Sequence, residues 1–373
     1  MLSIKLFTTF LLCLELFSEL NFLAWIPLTG SVSSWGDVLR KSMELAVEEI
    51  NLIQGSREDR KIKIRFEDTQ CLPNIAATVA KQSLAVQRPV VILGGLCSGD
   101  VLAQANIVNS EKIPFIVSGA SSSEIRNAGE YVFRTVPTDL LTAEFSAHHL
   151  NDVGCKNLLL ISEKTPYAQG LKNGLIKNLD QRVNVHFEDF NSSERNCAAL
   201  ITKARRNNSD CVVINSQTPQ TNGLILRELQ RQKAAENAKK FVFYSKGNQD
   251  LMEAARGSHV GVFNIELHVD LKDPKVTGFI LNYKKKFGSE PTILFHAISA
   301  YDSVYLAHDA VLKSLATKTP LINVLSNNFS MTGIRGVYKL DADGELVASS
   351  VIFEVSKFVD NGVELVHVSS VHK

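Results

Sequence analysis

The chain has 373 residues, more than one typical domain holds and about right for two. Lys and Arg total 40 against 39 Asp and Glu, a net charge of +1. That balance excludes the broad basic surface a nucleic-acid binder needs to neutralise phosphates, and an acidic tail as well. The 45% hydrophobic and 21% charged content is ordinary for a globular protein.

The only long apolar stretch opens the chain. Met1 to Lys5 carries one positive charge, and Leu6 to Leu14 is almost wholly apolar, which reads as the core of a signal peptide. Glu15 and Glu19 end it too early for a transmembrane helix. Residues 1–19 are therefore expected to be a signal peptide, with no stable membrane insertion after its removal. The alternative is a buried first helix. Asn21 to Pro27 is an apolar run, and Asp37 to Asn51 sets Leu39, Met43, Val47 and Ile50 on one face of a helix. Lys61 to Glu67 alternates strictly, with Ile62, Ile64 and Phe66 on one side, as a half-exposed edge strand does.

Pro89 to Leu93 and Ile113 to Val117 are apolar on both faces, the pattern of strands inside a parallel sheet. Each runs into small residues, Gly94 to Gly99 and Ser118 to Ser123, and then into a helical stretch. The repeated strand–turn–helix unit predicts a doubly wound α/β sheet. The pattern restarts after Pro137, with strands at Asn157–Ser162, Val183–Phe187, Cys211–Asn215, Phe241–Ser245 and Gly261–Leu267. Two α/β units in tandem fit this better than one large sheet. Pro291 to Leu312 is a strong helix pattern, and Gly336 to Phe358 reads as strand, turn at Asp341–Gly344, strand.

In open α/β sheets ligands bind beyond the carboxyl ends of the strands, where helix N-termini offer free N–H groups. Ser98 and Ser121 follow two such strands and could clamp one carboxylate; equally, both could be helix N-caps. Asp341–Gly344 lacks the remaining ligands of a calcium loop and reads as a tight turn. His148–His149 point to different helix faces, and Gly94–Gly95 is neither a dinucleotide fingerprint nor a phosphate loop. No nucleophile–base–acid set has recognisable spacing, so binding is favoured over catalysis, and neither metal nor cofactor is expected. The cysteines after the leader are Cys71, Cys97, Cys155, Cys197 and Cys211; none form a CxxC pair, so zinc is not expected, and the odd number leaves a free thiol if the others pair.

Pro27 to Asp37 followed by a helix ending Glu49-Ile50-Asn51, together with Glu67–Cys71, Gly95–Ser98, Ser118–Ser121, Tyr167–Gly170, Ala300–Val304 and the strand–turn–strand at the end, resembles the leucine/isoleucine/valine-binding family of type I periplasmic binding proteins, which serve ABC importers. The resemblance runs from about Leu20 to the C-terminus and implies two doubly wound parallel-sheet lobes joined by a three-crossing hinge. Residues 20–137 with 267–338 would form lobe 1, and 138–266 with 339–373 lobe 2. It also implies a Cys71–Cys97 disulfide and an oxidising, periplasmic location. Ser98 and Ser121 match positions that bind the ligand carboxylate, Gly119 one whose carbonyl receives an ammonium, Ala120 sits between them, and Trp35 and Tyr167 match cleft-lining aromatics. Two departures stand out: Gln217 falls where the family has a tyrosine, and Lys246 where it has the glutamate that pairs with the amino group. Lys246 would repel an α-ammonium and favour a second anionic group, unless it faces solvent. The implied function is capture of a small carboxylate by cleft closure and delivery to ABC permease subunits; the alternative is a sensor on the same fold that reports to a separate partner.

Overall fold

A computed structural model describes residues 19–191, 197–204, 208–347, 350–360 and 362–372. The expected signal peptide lies outside them except for Glu19. The first sheet is built from β1 (Leu20–Ile26), β2 (Ile62–Asp68), β3 (Val91–Gly94), β4 (Phe115–Val117) and β5 (Val132–Arg134), ordered β2-β1-β3-β4-β5. All its pairings are parallel. The alternating strand β2 takes the edge, and the doubly apolar β1, β3 and β4 take the interior, because only a strand covered on both faces can bury both sets of side chains.

The second sheet holds β6 (Asn157–Glu163), β7 (Asn184–Phe190), β8 (Cys211–Asn215), β9 (Lys239–Phe243), β10 (Phe263–Leu267), β13 (Ser350–Val359) and β14 (Gly362–His372). Its order is β14-β13-β10-β9-β8-β6-β7, with the two last strands of the chain running antiparallel. A small ribbon pairs β11 (Ser330–Gly333) with β12 (Gly336–Lys339).

Helix α1 (Ser33–Gln54) buries Leu39, Met43, Ala46 and Ile50 on the first sheet. Helices α2 (Pro73–Val86) and α3 (Ser98–Glu111) also belong to that half, and α4 (Asp139–Asp152), α5 (Pro166–Asn178), α6 (Cys197–Ala204), α7 (Pro219–Arg231) and α8 (Gln249–Ala255) to the other. The chain then returns. Helices α9 (Pro274–Phe287), α10 (Leu294–Thr317) and α11 (Leu321–Ser326) place Phe279, Tyr283, Ile298, Val304 and Leu325 in the same core as Leu39 and Met43. It passes between the two sheets after β5, after β10 and after β12.

The strand–turn–strand expected over Gly336–Phe358 is not a hairpin. β12 pairs with β11, and β13 pairs with β10 and β14. Across the Asp341–Gly344 turn the described residues form a single isolated bridge, Leu340 to Leu346. Glu345 leaves the turn inward to pair with the buried Arg134 of β5, which anchors the turn to the first half before the chain crosses to the other sheet.

Among the described residues two disulfides are present, Cys71–Cys97 and Cys155–Cys211, with Cα atoms 5.6 and 5.8 Å apart. Cys197 is the free thiol, half-buried. The bridges span 26 and 56 residues in sequence. In the chain-entropy account, loops of these lengths contribute about 3.5 and 4 kcal/mol. Reduction of both is expected to lower the urea midpoint strongly, and Cys155→Ala/Cys211→Ala to cost about as much stability as Cys71→Ala/Cys97→Ala while leaving ligand affinity intact. Equilibrium unfolding with and without reductant checks this; unchanged midpoints would show that neither bridge constrains the unfolded chain.

Candidate functional site

The carboxyl ends of β3 and β4 lie side by side, Gly94 opposite Val117. The β3 turn begins with Gly94 at φ +110°, where an added Cβ would stand 2.3 Å from the Trp25 carbonyl oxygen. A Cβ on Gly119 would stand 2.9 Å from the Leu96 side chain, so glycine there lets the β3 and β4 turns touch. Cys97, tied to Cys71, fixes the same turn. The result presents Ser98 and Ser121 at one wall of a cavity.

Neither serine is a helix cap. Cys97 precedes α3 and makes no side-chain cap, which places Ser98 inside the first turn. Ser122, not Ser121, caps the short 3₁₀ turn at Ser123–Asn127 by accepting the Glu124 N–H. The Ser98 hydroxyl accepts the Ser122 N–H at 3.2 Å, so its own proton is free to donate elsewhere. Under this wall the Arg134 guanidinium donates to the Ser122 carbonyl at 2.7 Å and pairs with Glu345. That buried pair locks the Ser121–Ser122 turn to the third crossing.

The cavity encloses about 540 Å³ of empty space, part of it open to solvent. Ser98, Gly119, Ser121, Trp35, Tyr167 and Gln217 all line it, together with Cys97 of the disulfide. Ala120 is buried behind the wall, its N–H donated to the Gly95 carbonyl at 2.8 Å, and does not line it. Lys246 lies elsewhere. It borders a neighbouring cavity that shares Tyr244 and His296 with the first, and it pairs with Glu354, which also binds His268 at 2.7 Å. Burial and the adjacent Glu354 raise the Glu266 carboxyl to about 7, opposed by Asn264 and Lys246. With Glu354 and Glu266 around it, the Lys246 charge is satisfied away from the serines.

Four contributors were not singled out in the sequence: Asn222, Tyr244 and His296, which line the cavity, and Asp139 behind it. Asp139 opens α4, is 1% exposed and has no hydrogen-bond partner of good geometry on either carboxylate oxygen. Burial raises it to about 7, against the neighbouring Ser121 hydroxyl and Arg134 guanidinium, which favour the charged form. Its charge bears on Tyr167 and Tyr244, and both phenols are pushed up, chiefly by burial, so they stay protonated. Tyr244 sits in the left-handed region at φ +48° and is held by a 2.8 Å bond to the Thr142 hydroxyl. His296 is pushed down to about 4 by burial and the Arg335 charge, so its ring is neutral at physiological pH. A residue after a strand is visible in a sequence. Asp139 had only an ordinary signal, an acidic residue in the first turn of a helix.

Both halves contribute to the walls, and they meet across the opening. Gln217 donates to the Cys71 sulfur at 2.7 Å, Ser34 to Asp250 at 3.0 Å, and Ser122 to the Pro166 carbonyl at 3.3 Å. Two α/β lobes, three crossings and a cavity at the strand ends of both give the architecture of a two-lobed binding protein.

The sequence profile of the periplasmic binding protein family matches residues 23–362, and the chain belongs to that family. The leucine-specific-binding protein of Salmonella typhimurium is 27% identical over 248 residues, a match spanning 63% of each chain. The branched-chain amino acid transporter substrate binding protein LivJ of Streptococcus pneumoniae, solved with isoleucine, superimposes with TM-score 0.82 at 19% identity, over 95% of this chain and all of that one. A solute binding protein of an ABC transporter from R. palustris, solved with benzoate, gives TM-score 0.78 at 17% identity, over 95% and 98%. These relatives are binding proteins, not enzymes. Family membership places the protein in the periplasm, a compartment in which disulfides persist. Among the described residues no helix is long and apolar enough to cross a membrane.

Proposed function

We propose that the protein captures a small α-amino acid between its lobes and hands it to the permease of an ABC importer. The observation that carries the reading is the polarity of one cavity wall. Ser98 and Ser121 border the wall where a carboxylate would sit, the Ser121 proton being shared with the buried Asp139 behind it, and Asp139 calls for a cation. An α-amino acid supplies both charges a few ångströms apart. The Gly119 carbonyl is the natural acceptor for the ammonium, with Asp139 supplying field. Tyr167, Tyr244 and Gln217 come from the other lobe and complete the site as it closes about the three crossings, a hinge that divides the chain near residues 137, 267 and 338.

A benzoate-like ligand fits the serines less completely. It would bring an anion toward Asp139 with no cation to offset it. Lys246 does not alter this balance, because it is held by Glu354. The test is to release small molecules from purified protein by denaturation, identify them by mass spectrometry, and titrate each into ligand-free protein by calorimetry. A zwitterionic amino acid that binds with closure is the expected result. Tight binding of acids that lack an amino group, and none of amino acids, would overturn the reading.

A further inference from the structure

Beyond the carboxylate end the cavity is largely apolar, with Val32, Leu96, Pro219 and Phe243 in its wall, but two polar groups interrupt it. Asn222, at the start of α7, is 2% exposed, lines the cavity, and its carboxamide oxygen has no hydrogen-bond partner. The Trp35 indole N–H is likewise buried and unpartnered on the opposite lobe. Between the two halves stands His296, its ring 5.5 Å from Trp35 and 5.7 Å from Tyr244. Thus one acceptor and one donor, supplied by different lobes, border the space left for a ligand side chain. Both atoms are already shut off from water and unpaired in the empty protein, so leucine or valine would leave that cost standing, whereas a ligand group that reaches them would relieve it. A group that both donates and accepts would satisfy them.

Charge narrows the class further. Among the described residues no Lys or Arg lines this cavity: Lys246 pairs with Glu354, and Arg335 bonds the Tyr338 hydroxyl at 3.0 Å and stacks 3.7 Å over the Phe295 ring. An acidic ligand side chain has no partner there. A basic one has none either, because Asp139 lies at the ammonium end and Glu163 is taken up by the Gln217 N–H at 2.7 Å. We propose that, within the amino-acid reading given above on which this rests, the site selects α-amino acids with a neutral, hydrogen-bonding side chain, a carboxamide or a hydroxyl, over aliphatic and charged ones, and that Asn222 and Trp35 are the residues that make the choice.

The experiment is calorimetric titration of the ligand-free protein with L-glutamine, L-asparagine, L-threonine, L-serine, L-leucine, L-valine, L-glutamate and L-lysine. At least one of the four neutral polar amino acids is expected to bind tenfold or more tighter than leucine. Asn222→Leu should lose about tenfold in affinity for that amino acid while leucine binding holds or improves. Trp35→Phe removes the N–H and leaves a smaller aromatic ring; it should weaken the polar ligand several-fold more than it weakens leucine, which keeps the proposal testable if Asn222→Leu fails to fold. Leucine or valine binding as tightly as every polar amino acid overturns the inference and leaves the amino-acid reading standing. So does tighter binding of glutamate or lysine, or a polar preference that survives both substitutions. Binding of no amino acid at all removes the underlying reading, and the inference with it.

Discussion

Alanine at both Ser98 and Ser121 is expected to lower the affinity for the bound amino acid by about a hundredfold or more, with the fold intact. A hydrogen bond to a charged partner is worth about 1.5–3 kcal/mol, so each single substitution should cost roughly tenfold or more. The direction is fixed by what each hydroxyl does now. Ser98 already accepts the Ser122 N–H, so its proton is the part available to a carboxylate. Ser121 stands beside Asp139 and borders the cavity without serving as a cap. Ser98→Ala also removes an acceptor from the Ser122 N–H, which should lower stability by about 1 kcal/mol. Calorimetry reads the affinities, and thermal unfolding shows that the double variant still folds. Ser121→Thr keeps the hydroxyl and should restore most of the loss. If the double variant binds its ligand as the parent does, the carboxylate end lies elsewhere.

Much of this arrangement was legible in the sequence, and the reason is local. Strands apolar on both faces that end in glycine and serine announce both their depth in a parallel sheet and the turn at their end. Ser98 and Ser121 could therefore be named by position, and Gly119 only through the family resemblance. The two cysteines flanking α2 could be paired only through family resemblance, because spacing does not fix connectivity. Lys246 shows where such reading stops. It follows β9 in sequence, as a cleft residue should, but its direction depends on Glu354, more than a hundred positions later on a strand whose place in the sheet was not foreseen. Asn222 and His296 were passed over for a related reason: a polar residue near the start of a helix is ordinary until the opposing lobe closes against it.

Asp139→Asn is expected to have two effects of opposite sign. The Asp139 carboxyl is raised to about 7 in the folded protein, whereas in the unfolded chain it titrates near 3.8. Between those values the native state holds a proton that the unfolded state lacks, so this group's contribution to stability worsens as pH rises through the interval and stays unfavourable above 7. The asparagine variant escapes that penalty. Without ligand it should be more stable than the parent at pH 8, by something on the order of 2–4 kcal/mol, and the gap should close as pH falls toward 4. The difference between the two proteins is the quantity to measure, because His149, His259, His296 and His308 are shifted down and pull the absolute curve the other way on acidification. Ligand reverses the ranking. An ammonium near Asp139 stabilises its ionised form, so the parent should bind the amino acid more weakly as pH drops below 7, and the variant should bind it at least tenfold more weakly than the parent at pH 8, with little pH dependence. A residue that only packs would give loss of stability together with loss of binding. A gain in stability coupled to a loss of binding marks a charge kept unsatisfied in the empty protein because the ligand supplies its partner. Superimposable stability and affinity profiles from pH 5 to pH 8 would leave Asp139 without that role.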